Sequence, residues 1–178
     1  MKKQVTQLMI ALMGLSVAPM VFAQTAPGTG QVTFNGELYD DTCVINAGDE
    51  DKTVTLPTLS TQSLAAAGQT AGSRMFEISV SQCPASLSSV AAHFETTNMN
   101  PNTRNAINLA TASPAKNVEV QLLDSDGQTP ILLGSTGSFV SIATDRTATM
   151  SYGGQYYATN QTQAGFVTAV VRYTLAYQ

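Results

Sequence analysis

From residue 165 to residue 178 the chain alternates with a period of two. Val167, Ala169, Val171, Tyr173, Leu175 and Tyr177 share one face, and Thr168, Val170, Arg172, Thr174 and Ala176 share the other. That spacing suits a strand with one buried face; in a helix the apolar residues would recur every three or four positions. A chain end ordinarily frays. An apolar stripe that runs to the last residue but one therefore points to a strand clamped along its length by a partner, or to the closing strand of an ordinary β-sandwich. Periodicity alone allows both.

The opposite end reads as a leader. Lys2 and Lys3 precede a mostly apolar run of about ten residues over 8–17, too short to span a bilayer, and Val21 and Ala23 sit at the minus-three and minus-one positions of a cleavage site. Residues 1–23 are expected to be a secretory signal peptide, in preference to an uncleaved membrane anchor, with the mature chain starting at Gln24. The remaining 155 residues suit one domain. They hold six basic residues against all twelve acidic ones, a formal charge of −6. With no cluster of Lys and Arg to meet phosphates, nucleic acid is excluded as a partner. An exported chain with two cysteines, Cys43 and Cys83, is expected to join them in one disulfide. Closing that loop constrains the unfolded chain by about 4 kcal/mol in the chain-entropy account.

Between the ends, apolar and β-branched runs alternate with turn residues. Strands are expected over 31–38, 42–46, 53–56, 75–82, 90–96, 118–123, 138–142, 148–152 and 165–177. Asn46-Ala47-Gly48-Asp49, residues 98–102 with Pro101, Asp124-Ser125-Asp126-Gly127 and Gly153-Gly154 read as turns or loops, and residues 63–67 as at most a helical turn. Many short strands without helical periodicity make an all-β sandwich or barrel.

Chemical motifs are few, and each lacks a necessary companion. Ser113 and Lys116 have SxxK spacing but no SDN or KTG element, so no serine nucleophile is expected there. Asp124, Asp126 and Gly127 match part of a calcium loop without its closing glutamate, which leaves a type I turn. His93 is the only histidine and no CxxC pair exists, so a zinc site cannot be assembled. Asn160-Gln161-Thr162 is a formal glycosylation sequon. No enzyme activity, metal or cofactor is expected.

Near the start of the mature chain stands a second stripe, Val32, Phe34, Gly36 and Leu38, in which glycine replaces a side chain, as at a bulge or where another group passes closely. This stripe, followed by Cys43, and an alternating strand bracketed by Gly165, fourteenth from the end, and a penultimate Tyr177, resemble the pilins of the chaperone-usher pathway. The likeness is greatest to the major rod subunits of type 1 and P-like fimbriae and covers the whole mature chain. It departs from the family upstream of Val32, where Pro27, Gly28 and Gly30 stand in place of large apolar residues.

The resemblance implies an incomplete immunoglobulin-like β-sandwich that lacks its last strand and is completed by donor-strand exchange. Residues 24–38 would be the N-terminal extension, donating Val32, Phe34, Gly36 and Leu38, and residues 39–178 the pilin domain. Gly165, Val167, Ala169, Val171, Tyr173, Leu175 and Tyr177 would receive the donated strand, and the Gln178 carboxylate would be held by basic residues of a periplasmic chaperone. Other implied partners are further copies of the chain, an outer-membrane usher and minor or tip pilins. The product would be a surface fimbrium serving adhesion or biofilm formation. Two other readings remain at this point: a minor adaptor pilin, and a secreted monomeric sandwich that binds carbohydrate on Tyr152, Tyr156 and Tyr157.

Overall fold

A computed structural model describes residues 30–38 and 42–178; the expected leader over 1–23 and the start of the extension over 24–29 lie outside the described residues. The chain divides between Leu38 and Tyr39 into two units, and the second holds every strand among the described residues. These are β1 (Val44–Ile45), β2 (Thr70–Ser81), β3 (Ser89–Glu95), β4 (Ala106–Ile107), β5 (Lys116–Leu123), β6 (Pro130–Ile131), β7 (Ser135–Thr136), β8 (Val140–Ser141), β9 (Ala148–Gln163) and β10 (Arg172–Tyr177). A 3-10 turn over Thr61–Leu64 is capped by Ser60, whose side chain accepts from the Gln62 N–H.

The strands form two antiparallel sheets. One runs β1-β2-β9-β5-β4, with β6 also on β5; the other runs β10-β3-β7, with β8 also on β3. Each sheet contributes alternate residues to one core: Ile78 and Val80 from β2, Met150 and Tyr152 from β9 and Leu122 from β5, facing Val90, Ala92 and Phe94 from β3. Phe94 and Tyr152 meet edge to face with ring centroids 4.9 Å apart. The disulfide joins Cys43, just before β1, to Cys83, just after β2, with sulfurs 2.07 Å apart. The architecture is an all-β sandwich, one of the two all-β forms that the alternating runs suggested.

Four local expectations are corrected. Gly153-Gly154 is not a loop: β9 runs through it for 16 residues, flanked by β2 and β5. Both glycines are buried, and a Cβ on Gly153 would come within 2.8 Å of the Met75 sulfur and 3.2 Å of Leu123 Cβ, so glycine here serves packing and not turning. Residues 53–56 form no strand, because the turn at 46–49 lifts the chain off β2 and side chains take the bonds that β2 offers. Asp49 accepts from the Ser79 N–H at 2.8 Å, and the Lys52 ammonium donates to the Glu77 carbonyl at 2.5 Å. Residues 31–38 form no strand either, for alternation supplies a face but not the neighbour that a ladder requires. The ladder of the terminal strand begins at Arg172 and not at residue 165.

The tyrosine platform is also overturned. Tyr152 is 1% exposed, and its hydroxyl accepts from the buried Ala92 N–H at 2.9 Å. Tyr156 follows on the same strand face and Tyr157 falls on the opposite one, so the three present no common stacking surface.

Candidate functional site

Strand β10 pairs with β3 along one edge, from Arg172 opposite Glu95 to Tyr177 opposite Val90; among the described residues no strand lies along its other edge. Beyond its end, Gln178 and Ser89 exchange both main-chain bonds at 3.2 Å. Alternation in an antiparallel ladder then turns the N–H and C=O groups of Tyr177, Leu175 and Tyr173 toward the free edge. Such an edge is a template for another strand.

The side chains tell the same story. From Val167 to Leu175 burial alternates without a break, with Val167, Ala169, Val171, Tyr173 and Leu175 half-buried and the residues between them exposed. Ala169, Val171, Tyr173, Leu175 and Tyr177 pack on the core, yet none is fully covered, and the same is true of Ile45, Phe76, Met99 and Val120. Apolar residues that touch a core without being sealed mark a missing layer. Two clefts expose parts of that lining. One of about 530 Å³ lies between residues 52–58 and the start of the core face of β2 at Phe76, and one of about 480 Å³ takes in Met99, Val170 and Arg172.

Two tyrosines cross from β10 to the segment that enters the sandwich. Tyr177 Oη bonds Thr42 Oγ1 and accepts from the Cys43 N–H at 3.0 Å, while Tyr173 Oη donates to the Asp49 carbonyl at 2.8 Å. The Asp49 carboxylate is held below its ordinary range, first by its bond from Lys52 and then by the Ser79 N–H. Tyr173 is pushed up, first by burial and then by the negative charges of Asp49 and Glu50. Tyr152 and Tyr156 shift the same way, each led by burial. A tyrosine raised in the folded state stabilises the fold fully below its ordinary pKa of about 10, and that contribution is lost as pH rises through the higher folded value. Melting temperature is therefore expected to fall as pH climbs past about 10. Tyr173→Phe is expected to lessen that fall while costing about 1 kcal/mol at neutral pH through the lost bond to Asp49; an unchanged alkaline limb in the variant would refute the assignment.

Upstream of the ladder, the chain is pinned by contacts that no sequence pattern announces. The Phe166 N–H donates to Ser113 O and the Ala115 N–H donates to Phe166 O, both at 2.9 Å. The Asn108 amide nitrogen donates to Phe166 O and Ala115 O, and its oxygen accepts from the Thr168 N–H. Gly165 lies against this loop: a Cβ there would come within 2.3 Å of Ala115 N and 2.4 Å of Ser113 O. At the far end, the Gln178 main-chain oxygen accepts from the N–H groups of Ser88 and Ser89 and from Ser88 Oγ.

Val32, Phe34, Gly36 and Leu38 belong to the other unit, where the three side chains are exposed. His93 bonds Thr136 Oγ1 through Nδ1 at 2.8 Å and lies 3.4 Å from Glu95. The turn at 124–127 closes with Gly127 N–H donating to Asp124 O, and the Asp126 carboxylate accepts from Gln128, Thr129 and the Thr129 hydroxyl within its own loop. Among the described residues no group of three or more His, Cys, Asp or Glu is placed to hold a metal.

A family model described as fimbrial protein matches residues 32–178, which takes in the sandwich and the stripe before it. The chain belongs to the fimbrial protein family. This fimbrial protein is 41% identical to the F17 fimbrial protein of Escherichia coli over 84% of its own length and 87% of the relative's. It is 40% identical to the major fimbrial subunit SMF-1 of Stenotrophomonas maltophilia over 92% and 99% of the two chains. Among solved structures, the P pilus rod subunit PapA superposes with a TM-score of 0.61 at 17% identity, covering 78% of this fimbrial protein and all of that chain, and so shares its fold. The protein is a pilin, a structural subunit of a fimbrium.

Proposed function

We propose that this pilin is a rod subunit that polymerises by donor-strand exchange, the extension of one copy filling the open edge of the next. The single observation that carries this reading is the free edge of β10 beside a stripe of apolar residues that touch the core but are not sealed. A strand laid there would find N–H and C=O partners from Tyr173, Leu175 and Tyr177 and apolar cover to complete. Strand addition of this kind takes affinity from the main-chain ladder and specificity from alternate side chains. Val32, Phe34 and Leu38 are the apolar residues that would be buried, a gain of roughly 5 kcal/mol or more before the ladder is counted. Gly36 would sit where the opening is shallow.

Before assembly the same edge would be an aggregation hazard. In the proposed route a periplasmic chaperone lends a strand to it, and an outer-membrane usher exchanges that strand for the extension of the incoming copy. The polymer reaches the cell surface, joined to minor or tip pilins, and serves adhesion or biofilm formation without catalysis by the subunit. The name of the Stenotrophomonas relative, a major fimbrial subunit, supports a rod role over that of a minor adaptor.

The test is to delete residues 24–38, refold the remainder, and follow its melting temperature with a synthetic peptide of the deleted residues. A large stabilisation that reverses slowly is expected. A truncated domain that is already stable and ignores the peptide would rule the mechanism out.

A further inference from the structure

We propose that Asn35-Gly36 is a site of spontaneous deamidation that ages any subunit whose extension remains free. Of the nine asparagines in the chain, Asn35 alone precedes a glycine. In this reaction the main-chain nitrogen of the following residue attacks the asparagine Cγ. The new N–Cγ bond closes a five-membered succinimide, the Cγ–Nδ2 bond breaks, and the amide nitrogen leaves as ammonia. Water then opens the ring at either carbonyl, giving aspartate or a β-linked isoaspartate. Water is the sole co-reactant, and no electrons are transferred.

Ring closure needs an unhindered nucleophile and a main chain free to turn. Gly36 offers the first: it has no Cβ, and among the described residues nothing lies within 4 Å of where one would stand. The second is met because residues 30–38 carry no ladder and neither Asn35 nor Gly36 makes a main-chain hydrogen bond within the described residues. Three other asparagines have their amide nitrogens bonded and a fourth is buried. The amide of Asn100 donates to Glu119, that of Asn108 to Ala115 and Phe166, and that of Asn117 to Gln161, while Asn105 is 1% exposed.

Both products add a negative charge, and isoaspartate routes the main chain through Cβ and Cγ, inserting one methylene between Phe34 and Gly36. What this does to assembly rests on the donor-strand reading. Val32 and Phe34 move out of step with Leu38, and an unpaired carboxylate is carried toward a site that excludes water. An inserted extension has its main chain held in a ladder, which bars ring closure. Deamidation thus acts as a timer that retires subunits left unassembled.

Purified subunit and assembled fimbriae, incubated side by side at mildly alkaline pH, test this by peptide mass mapping. The free subunit is expected to show the mass gain of replacing –NH2 by –OH at Asn35, split between two isomeric peptides, and to lose the ability to polymerise in step with that change. Asn35→Gln, whose ring would be six-membered and slow to form, is expected to keep both mass and assembly over the same interval. An intact Asn35 in the aged free subunit, or prior change at other asparagines, would overturn the proposal. Equal modification in assembled fimbriae would leave the site standing and overturn instead the donor-strand reading, since the extension would then be free in the polymer.

Discussion

Gly165→Val is expected to abolish recovery of folded subunit, or to lower its stability by about 3 kcal/mol or more where some is recovered. A Cβ at this position meets three main-chain atoms at 2.3–2.5 Å: Ala115 N, Ser113 O and Pro114 C. Overpacking is tolerable when a flexible side chain can swing aside. Here the obstacle is a loop bonded to both the N–H and the C=O of Phe166, so it cannot recede without breaking the contacts that aim the chain into β10. Gly154→Ala is the matched control, since its Cβ would meet nothing closer than Val120 Cγ1 at an ordinary 3.8 Å. Denaturant midpoints and the yield of soluble disulfide-bonded protein measure both; wild-type values for Gly165→Val would show that the loop yields.

Replacing both cysteines, Cys43→Ser with Cys83→Ser, is expected to cost about 4 kcal/mol, mostly by releasing the unfolded chain. The bridge closes a separation of 40 residues, and its ends are 3% and 1% exposed. The two new hydroxyls would add a desolvation cost in an apolar setting. For a domain whose core is unsealed along one edge, a loss of this size approaches the whole margin of stability. Periplasmic yield should fall steeply, and a double variant with unchanged yield and midpoint would show the bridge to be dispensable.

Much of this was readable from the residues. The period of two between residues 167 and 175 reappears as unbroken alternation of burial, and the cysteine pair reappears as the disulfide. β3 and β5 fell close to their expected places, while β2 ends near where expected but begins five residues earlier, at Thr70. What escaped was set by neighbours. β4, β6 and β7 are two-residue strands that exist because β5 or β3 passes beside them, and their sequences carry no period long enough to see. The turn chemistry of Gly153-Gly154 was misleading, since a glycine pair is equally the answer where a central strand must let Met75 and Leu123 approach. The tyrosine cluster misled because period two had to be applied within β9 before its rings could be assigned to a face. Asn108, which bridges two segments of the site, has nothing in its local sequence to mark it.

The position of the disulfide bears on how such a subunit would carry tension. A pull entering from the extension reaches Cys43 one residue after Thr42, and there it meets a covalent link to Cys83 at the end of β2. Without that link the load would fall first on β1, whose two residue pairs with β2 would unzip in turn. With it, force passes directly to the strand that pairs with the sixteen-residue β9, in the middle of the six-stranded sheet. Under such a load β1 would be spared, and the stress would be borne by the longest ladder of the sandwich, that of β2 with β9.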